Sequence, residues 1–191
     1  ERTLQRIRTR EPRLVIVGSS CYLFPTPLGE IAEACQQIGA TLLMDASHIL
    51  GLIAGGVFPQ PLVEGADLLI SSTHKTFAGP QGGILLGRNL PPLEQAVPAI
   101  YPGLVTNHHL MRIPAMIAVV AEWRTFGGDY ARAIVENAIG LADALEGLGI
   151  PVVRTSAGTT QSHTILIKTQ SWNQKAKDIA RRMEDCGVIA G

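Results

Sequence analysis

Apolar residues in this chain fall into short continuous runs separated by stretches with helical spacing. Arg13-Leu14-Val15-Ile16-Val17-Gly18 predicts a strand, and Leu28 to Ile38, apolar at helical intervals before Gly39, predicts a helix. Thr41-Leu42-Leu43-Met44-Asp45 predicts the next buried strand and Asp67 to Ser71 a third. Gly83-Ile84-Leu85-Leu86-Gly87 predicts a fourth that returns after a glycine-rich turn. Continuously apolar strands alternating with helices indicate an α/β fold whose largely parallel sheet is covered on both faces. The short turn before the fourth strand predicts an antiparallel final pair. Beyond Pro91 the pattern changes: a Pro/Gly/Asn/His loop from Pro98 to His109 leads into a long helical stretch from Pro114 to about Leu148, with an interruption expected at Gly127-Gly128. Val152-Val153 and His163 to Ile167 then alternate with a helix over Gln174 to Asp185. This predicts part of a large domain over residues 1–110 and a linking helix with the start of a smaller α+β domain over 111–191, the boundary falling near Met111.

Composition narrows the class. With 191 residues, 46% hydrophobic and 17% charged, the chain can bury a sizeable core. Sixteen basic and sixteen acidic residues cancel, and the arginines of the first thirteen positions are the one local cluster, which argues against nucleic-acid or anionic-membrane partners. Cys21, Cys35 and Cys186 are odd in number and lack metal-type spacing, so they are expected as reduced thiols. The apolar run Ile113 to Ala121 is far shorter than the roughly 20 residues of a membrane helix, and no secretory signal precedes the first strand. A cytoplasmic location is expected.

The candidate chemistry centres on Ser72-Thr73-His74-Lys75-Thr76-Phe77-Ala78-Gly79-Pro80-Gln81-Gly82-Gly83. It sets Lys75 at the carboxyl end of a strand, where open α/β sheets bind ligands. A free lysine amine, with a reference pKa of about 10.4, must lose its proton before it can hold an aldehyde as an imine. Thr73, His74 and Thr76 surround it with polar groups and no acid. Upstream, Asp45 closes a strand and His48 follows. Asp45 reads either as a helix N-cap or as a carboxylate that keeps a pyridinium nitrogen protonated. His48 reads either as a core histidine bonded to backbone or as a partner of a cofactor's phenolic oxygen, and His74 either as a turn residue or as a substrate or phosphate contact. Lys75 with Asp45 is the minimal signature of pyridoxal-phosphate chemistry.

Asp45-Ala46-Ser47-His48-Ile49-Leu50-Gly51-Leu52-Ile53-Ala54-Gly55-Gly56-Val57, followed by Ser71 to Thr76 and Gly79-Pro80-Gln81-Gly82-Gly83, closely resembles the serine hydroxymethyltransferase family. Gly18-Ser19-Ser20-Cys21-Tyr22 is similar to that family's Gly-x-Ser-Ala-Tyr segment, Tyr101-Pro102-Gly103 to its Phe-Pro-Gly loop, and Thr160-Gln161-Ser162-His163 to its Thr-x-x-His element. The resemblance implies an aspartate-aminotransferase-like fold, a homodimer or higher homo-oligomer, and aldol chemistry on a β-hydroxy amino acid. It implies pyridoxal 5′-phosphate as cofactor and tetrahydrofolate as a co-substrate. By matching position, Lys75 would carry the imine and Asp45 would bind the ring nitrogen. His48 and Ser20 would contact the phenolic oxygen, His74 and Ser72 would line the site, and Thr76 would handle protons.

Two departures bear on the substrate. Gln81 stands where the family has arginine, which removes a permanent cation from the site rim. Leu104-Val105-Thr106-Asn107-His108-His109 replaces the family's glycine-rich loop. Both fit a threonine transaldolase-like branch, which adds a glycyl carbanion to another aldehyde. A cysteine-desulfurase-like or other class V aminotransferase-like enzyme would also carry a Ser/Thr-x-His-Lys element, but with glutamine in place of His48. The family's phosphate cup, its ring-stacking aromatic and its substrate-carboxylate arginine fall outside these 191 residues. The chain therefore reads as the central portion of a longer enzyme, a non-catalytic fragment when taken alone.

Overall fold

The computed structural model describes residues 1–88, 90–107 and 109–191. Helix α1 (Arg2–Arg10) precedes β1 (Leu14–Gly18), α2 (Leu28–Ile38), β2 (Thr41–Asp45), the short α3 (Leu50–Ala54), β3 (Leu68–His74) and β4 (Ala78–Gly87). The four strands form one sheet in the order β1-β2-β3-β4. The first two pairings are parallel and the last is antiparallel, the arrangement expected from the short glycine turn. Register aligns Gly18 with Asp45 and Asp45 with Ile70, so the carboxyl ends of three strands meet at one edge.

Side-chain burial follows strand alternation. Leu42 and Met44 of β2 are buried while Thr41, Leu43 and Asp45 are half-buried. Ile31, Ala34 and Cys35 of α2 close over the core, and α2 ends where Gly39, at φ 68°, takes a left-handed turn that a side chain would strain. Coverage of the sheet is less complete than its apolar strands imply. Leu14 and Ile16 of β1 remain exposed, because no element among the described residues packs over them.

Asp67 locks two strands together. Its carboxylate Oδ2 accepts the Leu42 N–H at 2.8 Å, its own N–H donates to Leu42 O at 2.9 Å, and its carbonyl accepts from Arg88 at 3.1 Å. Asp67→Ala is expected to lower stability by about 1–3 kcal/mol, because it leaves a buried N–H unpaired. Chemical denaturation checks this; a midpoint equal to the parent's would refute it.

After α4 (Leu90–Pro98) the chain makes an irregular turn over Ala99–Leu104, part of the stretch expected as open loop. Helix α5 (Arg112–Gly147) then runs unbroken for 36 residues. The interruption expected at Gly127-Gly128 is absent. Gly127 serves packing instead: a Cβ on Gly55 would lie 2.6 Å from Gly127 O and 2.3 Å from Ala131 Cβ, so α3 and α5 touch almost backbone to backbone. The C-terminal strands expected around Val152 and Ile167 reduce to one antiparallel bridge between those residues. Arg154 reaches back to Asp143 and Glu146 of α5, and a 3-10 turn (Thr169–Trp172) precedes α6 (Ala176–Asp185). Among the described residues no helix is long and apolar enough to cross a membrane, and no cluster of His, Cys, Asp and Glu could hold a metal ion. Cys21, Cys35 and Cys186 are free thiols, with Cys35 buried.

Candidate active site

The site is assembled from two turns at the carboxyl ends of β2 and β3. β2 stops at Asp45, whose Oδ1 accepts the Ser47 N–H at 2.9 Å, while the Ala46 N–H continues the sheet by donating to Ile70 O at 2.8 Å. That carboxylate-capped turn carries His48 into α3. β3 extends through the polar run Ser71-Ser72-Thr73-His74, and Lys75 follows directly. Lys75 Nζ lies 3.1 Å from His48 Nε2. When the amine donates, Nε2 is the acceptor and the imidazole hydrogen sits on Nδ1; when the amine is the acceptor, the roles reverse.

Thr76 fastens the two turns to each other. Its hydroxyl donates to His48 O at 2.9 Å and accepts the Gly51 N–H at 3.2 Å. Thr73 is fully buried, with Oγ1 2.5 Å from Pro80 O and 3.1 Å from Gly82 O, and so ties β3 to the glycine turn. Exposed His74 accepts the Gly82 N–H on Nδ1 at 3.3 Å, so the ring hydrogen is carried on Nε2. The Ser72 N–H donates to Ser47 Oγ at 3.3 Å. Ser20 sits in the exposed loop after β1, its hydroxyl 3.9 Å from Cys21 Sγ and no closer partner among the described residues. The structure thus brings together Lys75, His48, Thr76, Asp45 and Ser72, places His74 on the adjoining glycine turn, and leaves Ser20 on the rim. His108, one of the polar groups expected in the following loop, lies outside the described residues.

His163 is a site residue that sequence reasoning did not single out. The segment Thr160 to Ser162 docks on the loop after β1: Gln161 N–H donates to Leu23 O at 2.7 Å, Thr160 Oγ1 donates to the same carbonyl at 3.3 Å, and the Ser162 hydroxyl donates to Tyr22 O. This docking stacks the His163 ring on His48, with centroids 6.2 Å apart and planes 14° from parallel. His163 Nδ1 is buried without a partner. The only sequence signal was the Thr-x-x-His spacing, which says nothing of where that histidine lands.

Burial lowers the pKa of both imidazoles. For His48 the nearby Lys75 charge adds to the lowering and Asp45 opposes it; for His163 the contribution of His48 adds to it. A histidine whose folded pKa is depressed binds fewer protons than the unfolded chain as pH falls. Its contribution to stability is therefore complete above the ordinary value of about 6.5 and is lost as pH drops through the lowered value. His163→Gln is expected to flatten the fall in stability as pH drops below the ordinary histidine value of about 6.5. Denaturation midpoints across that range test this, and an unchanged slope would rule it out.

Parallel strands deliver a carboxylate, an imidazole and a lysine-bearing turn to one sheet edge, the ligand-binding end of an α/β domain whose fold agrees with part of pyridoxal-phosphate fold type I. A family profile described as serine hydroxymethyltransferase matches residues 2–191, and the chain belongs to that family. It is similar to the serine hydroxymethyltransferases of Korarchaeum cryptofilum (46% identical, covering 87% of this chain and 38% of that protein) and Pyrobaculum arsenaticum (41%, covering 99% and 44%). That of Methanobrevibacter smithii is 43% identical, covering 97% of this chain and 43% of that protein. The chain thus spans about two fifths of the length of these curated relatives. The family depends on pyridoxal 5′-phosphate and uses tetrahydrofolate as co-substrate.

The residues present fit the reactive half of that cofactor. Lys75 offers an amine with no carboxylate partner among the described residues, and Asp45 engages one oxygen with Ser47, leaving Oδ2 open among the described residues. Gly18 stands beside Asp45 in the sheet, where a Cβ would come within 2.7 Å of Asp45 Cβ, so any larger residue there would press on Asp45.

Proposed function

We propose that this chain carries the lysine-bearing part of an enzyme that cleaves and forms the Cα–Cβ bond of a β-hydroxy amino acid, interconverting serine and glycine with tetrahydrofolate as one-carbon carrier. The observation that carries the reading is the 3.1 Å contact of Lys75 Nζ with a neutral-favoured His48, beside the Asp45 carboxylate. When bound, pyridoxal phosphate supplies an electron sink for the carbanion left on glycine.

The chain's own groups divide the remaining work. Lys75 would hold the cofactor's aldehyde carbon, and His48, 3.1 Å from Nζ, would contact the cofactor's phenolic oxygen. Asp45 would pair with the ring nitrogen and hold its proton. Thr76, bonded to His48 O and Gly51 N–H, keeps lysine and imidazole in register. His74, with Nδ1 fixed by Gly82, would present Nε2–H to the substrate's oxygen. Ser72 and Ser20 would contribute hydroxyls at the rim. Residues 1–110 and 111–191 would form parts of the large and small domains of a cytoplasmic homodimer or higher homo-oligomer. Because the chain spans 38–44% of its relatives' length, the 191 residues alone are expected not to turn over substrate; retro-aldol turnover by this chain at rates typical of the whole enzyme would overturn that.

Product identity tests the reading in the full-length enzyme. Serine and tetrahydrofolate should yield glycine and a one-carbon-loaded folate. A new β-hydroxy amino acid made from threonine and an added aldehyde, without folate, would instead place the enzyme in the transaldolase-like branch suggested by Gln81 and the Leu104–His109 loop.

A further inference from the structure

Gln81 leaves the glycine turn without a cation of its own, yet a guanidinium reaches that turn from another part of the chain. Arg112 opens α5, and its side chain lies directly over Gly82: a Cβ on Gly82 would fall 1.6 Å from Nη2, 1.9 Å from Cζ and 2.5 Å from Nη1. Any side chain at position 82 would have to displace the arginine. Arg112 Nε is buried and has no hydrogen-bond partner, and among the described residues no carboxylate forms an ion pair with this guanidinium. A permanent cation with a buried, unpaired donor is an unsatisfied arrangement, and its planar fork matches the two oxygens of a carboxylate or phosphate.

The surroundings supply room and further donors. Arg112 lines an open groove of about 1080 Å³ between the glycine turn, β3 and the start of α5, together with Ser72, Gly83, Thr106, Asn107 and His109. Ser72 belongs to the strand that delivers Lys75, and the Gly82 N–H is bonded to His74, so the groove adjoins the lysine cluster.

We propose that Arg112 binds the oxyanion of a small molecule, a carboxylate or a phosphate, in this groove. The site does not depend on the role assigned to Lys75, and Lys75→Ala is expected to leave anion binding in place. The test is calorimetric titration of the full-length enzyme with inorganic phosphate and with malonate, before and after removal of the cofactor. Binding is expected in the wild type and should weaken about tenfold or more in Arg112→Gln. Arg112→Lys, which keeps the charge and loses the fork, should fall between the two. Gly82→Ala, which displaces the guanidinium without removing charge, should weaken binding as well. Anion binding to the cofactor-loaded enzyme assigns the oxyanion to a substrate; binding seen only after cofactor removal assigns it to the cofactor's own phosphate. Absence of binding in the wild type under both conditions, or equal affinity in wild type, Arg112→Lys and Arg112→Gln, overturns the proposal.

Discussion

Lys75→Ala in the full-length enzyme is expected to abolish the visible absorbance of lysine-bound cofactor and to lower turnover by about 10³-fold or more, with little change in stability. The side chain is exposed and its amine contacts His48 alone among the described residues, so its removal opens no cavity and strands no buried partner. Substitutions of that kind usually change stability by no more than about 0.5 kcal/mol. Loss of activity without loss of fold therefore isolates chemistry from structure. A second readout needs no cofactor. The Lys75 charge helps to hold the His48 pKa down, so removing it should move the His48 titration, followed by NMR, upward toward the ordinary histidine value. An enzyme that keeps both its absorbance and its turnover without this amine would sink the assignment of Lys75.

The parts of the fold legible in the sequence were those that bury a continuous run or one helical face. α2 begins and ends where its apolar spacing and Gly39 place it, and β2 coincides with Thr41 to Asp45. α1 was not legible, because its nine residues are rich in arginine and bury only Ile7. α3 is five residues of nearly unbroken apolar character, too short to show a period. β3 and β4 run past their apolar segments into Ser71 to His74 and Ala78 to Gly82, where polar residues and glycines conceal the extended backbone. Those concealed stretches form the candidate site proposed above, where residue choice would answer to chemistry before strand propensity. Lys75, Asp45 and His48 could be picked out because each lies at or just past a strand end. His163 and Arg112 could not, since each reaches the site from far along the chain through tertiary packing.

Gly51→Ala is expected to destabilise the protein by about 1–3 kcal/mol and to impair cofactor binding in the full-length enzyme, although alanine is the better helix former. The added Cβ would sit 2.1 Å from Thr76 O, 2.3 Å from Thr76 C and 2.7 Å from Phe77 N. All three are backbone atoms, so no side-chain rotation relieves the overlap and the lysine turn must move away from α3. That movement lengthens the Gly51 N–H to Thr76 Oγ1 bond and the Thr76 Oγ1 to His48 O bond, and it shifts Phe77 from its stack on Trp123 at 4.9 Å. Lysine and imidazole would then lose their common anchor. Gly140→Ala in α5 is the matched control: nothing lies within 4 Å of its Cβ position, so ordinary helix propensity should prevail and stability should rise by about 0.4–1 kcal/mol. Denaturation midpoints that move in opposite directions for the two glycines confirm that close backbone approach, rather than helix propensity, dictates residue 51. Equal gains at both positions would mean that α3 and the lysine turn are not in direct contact in solution.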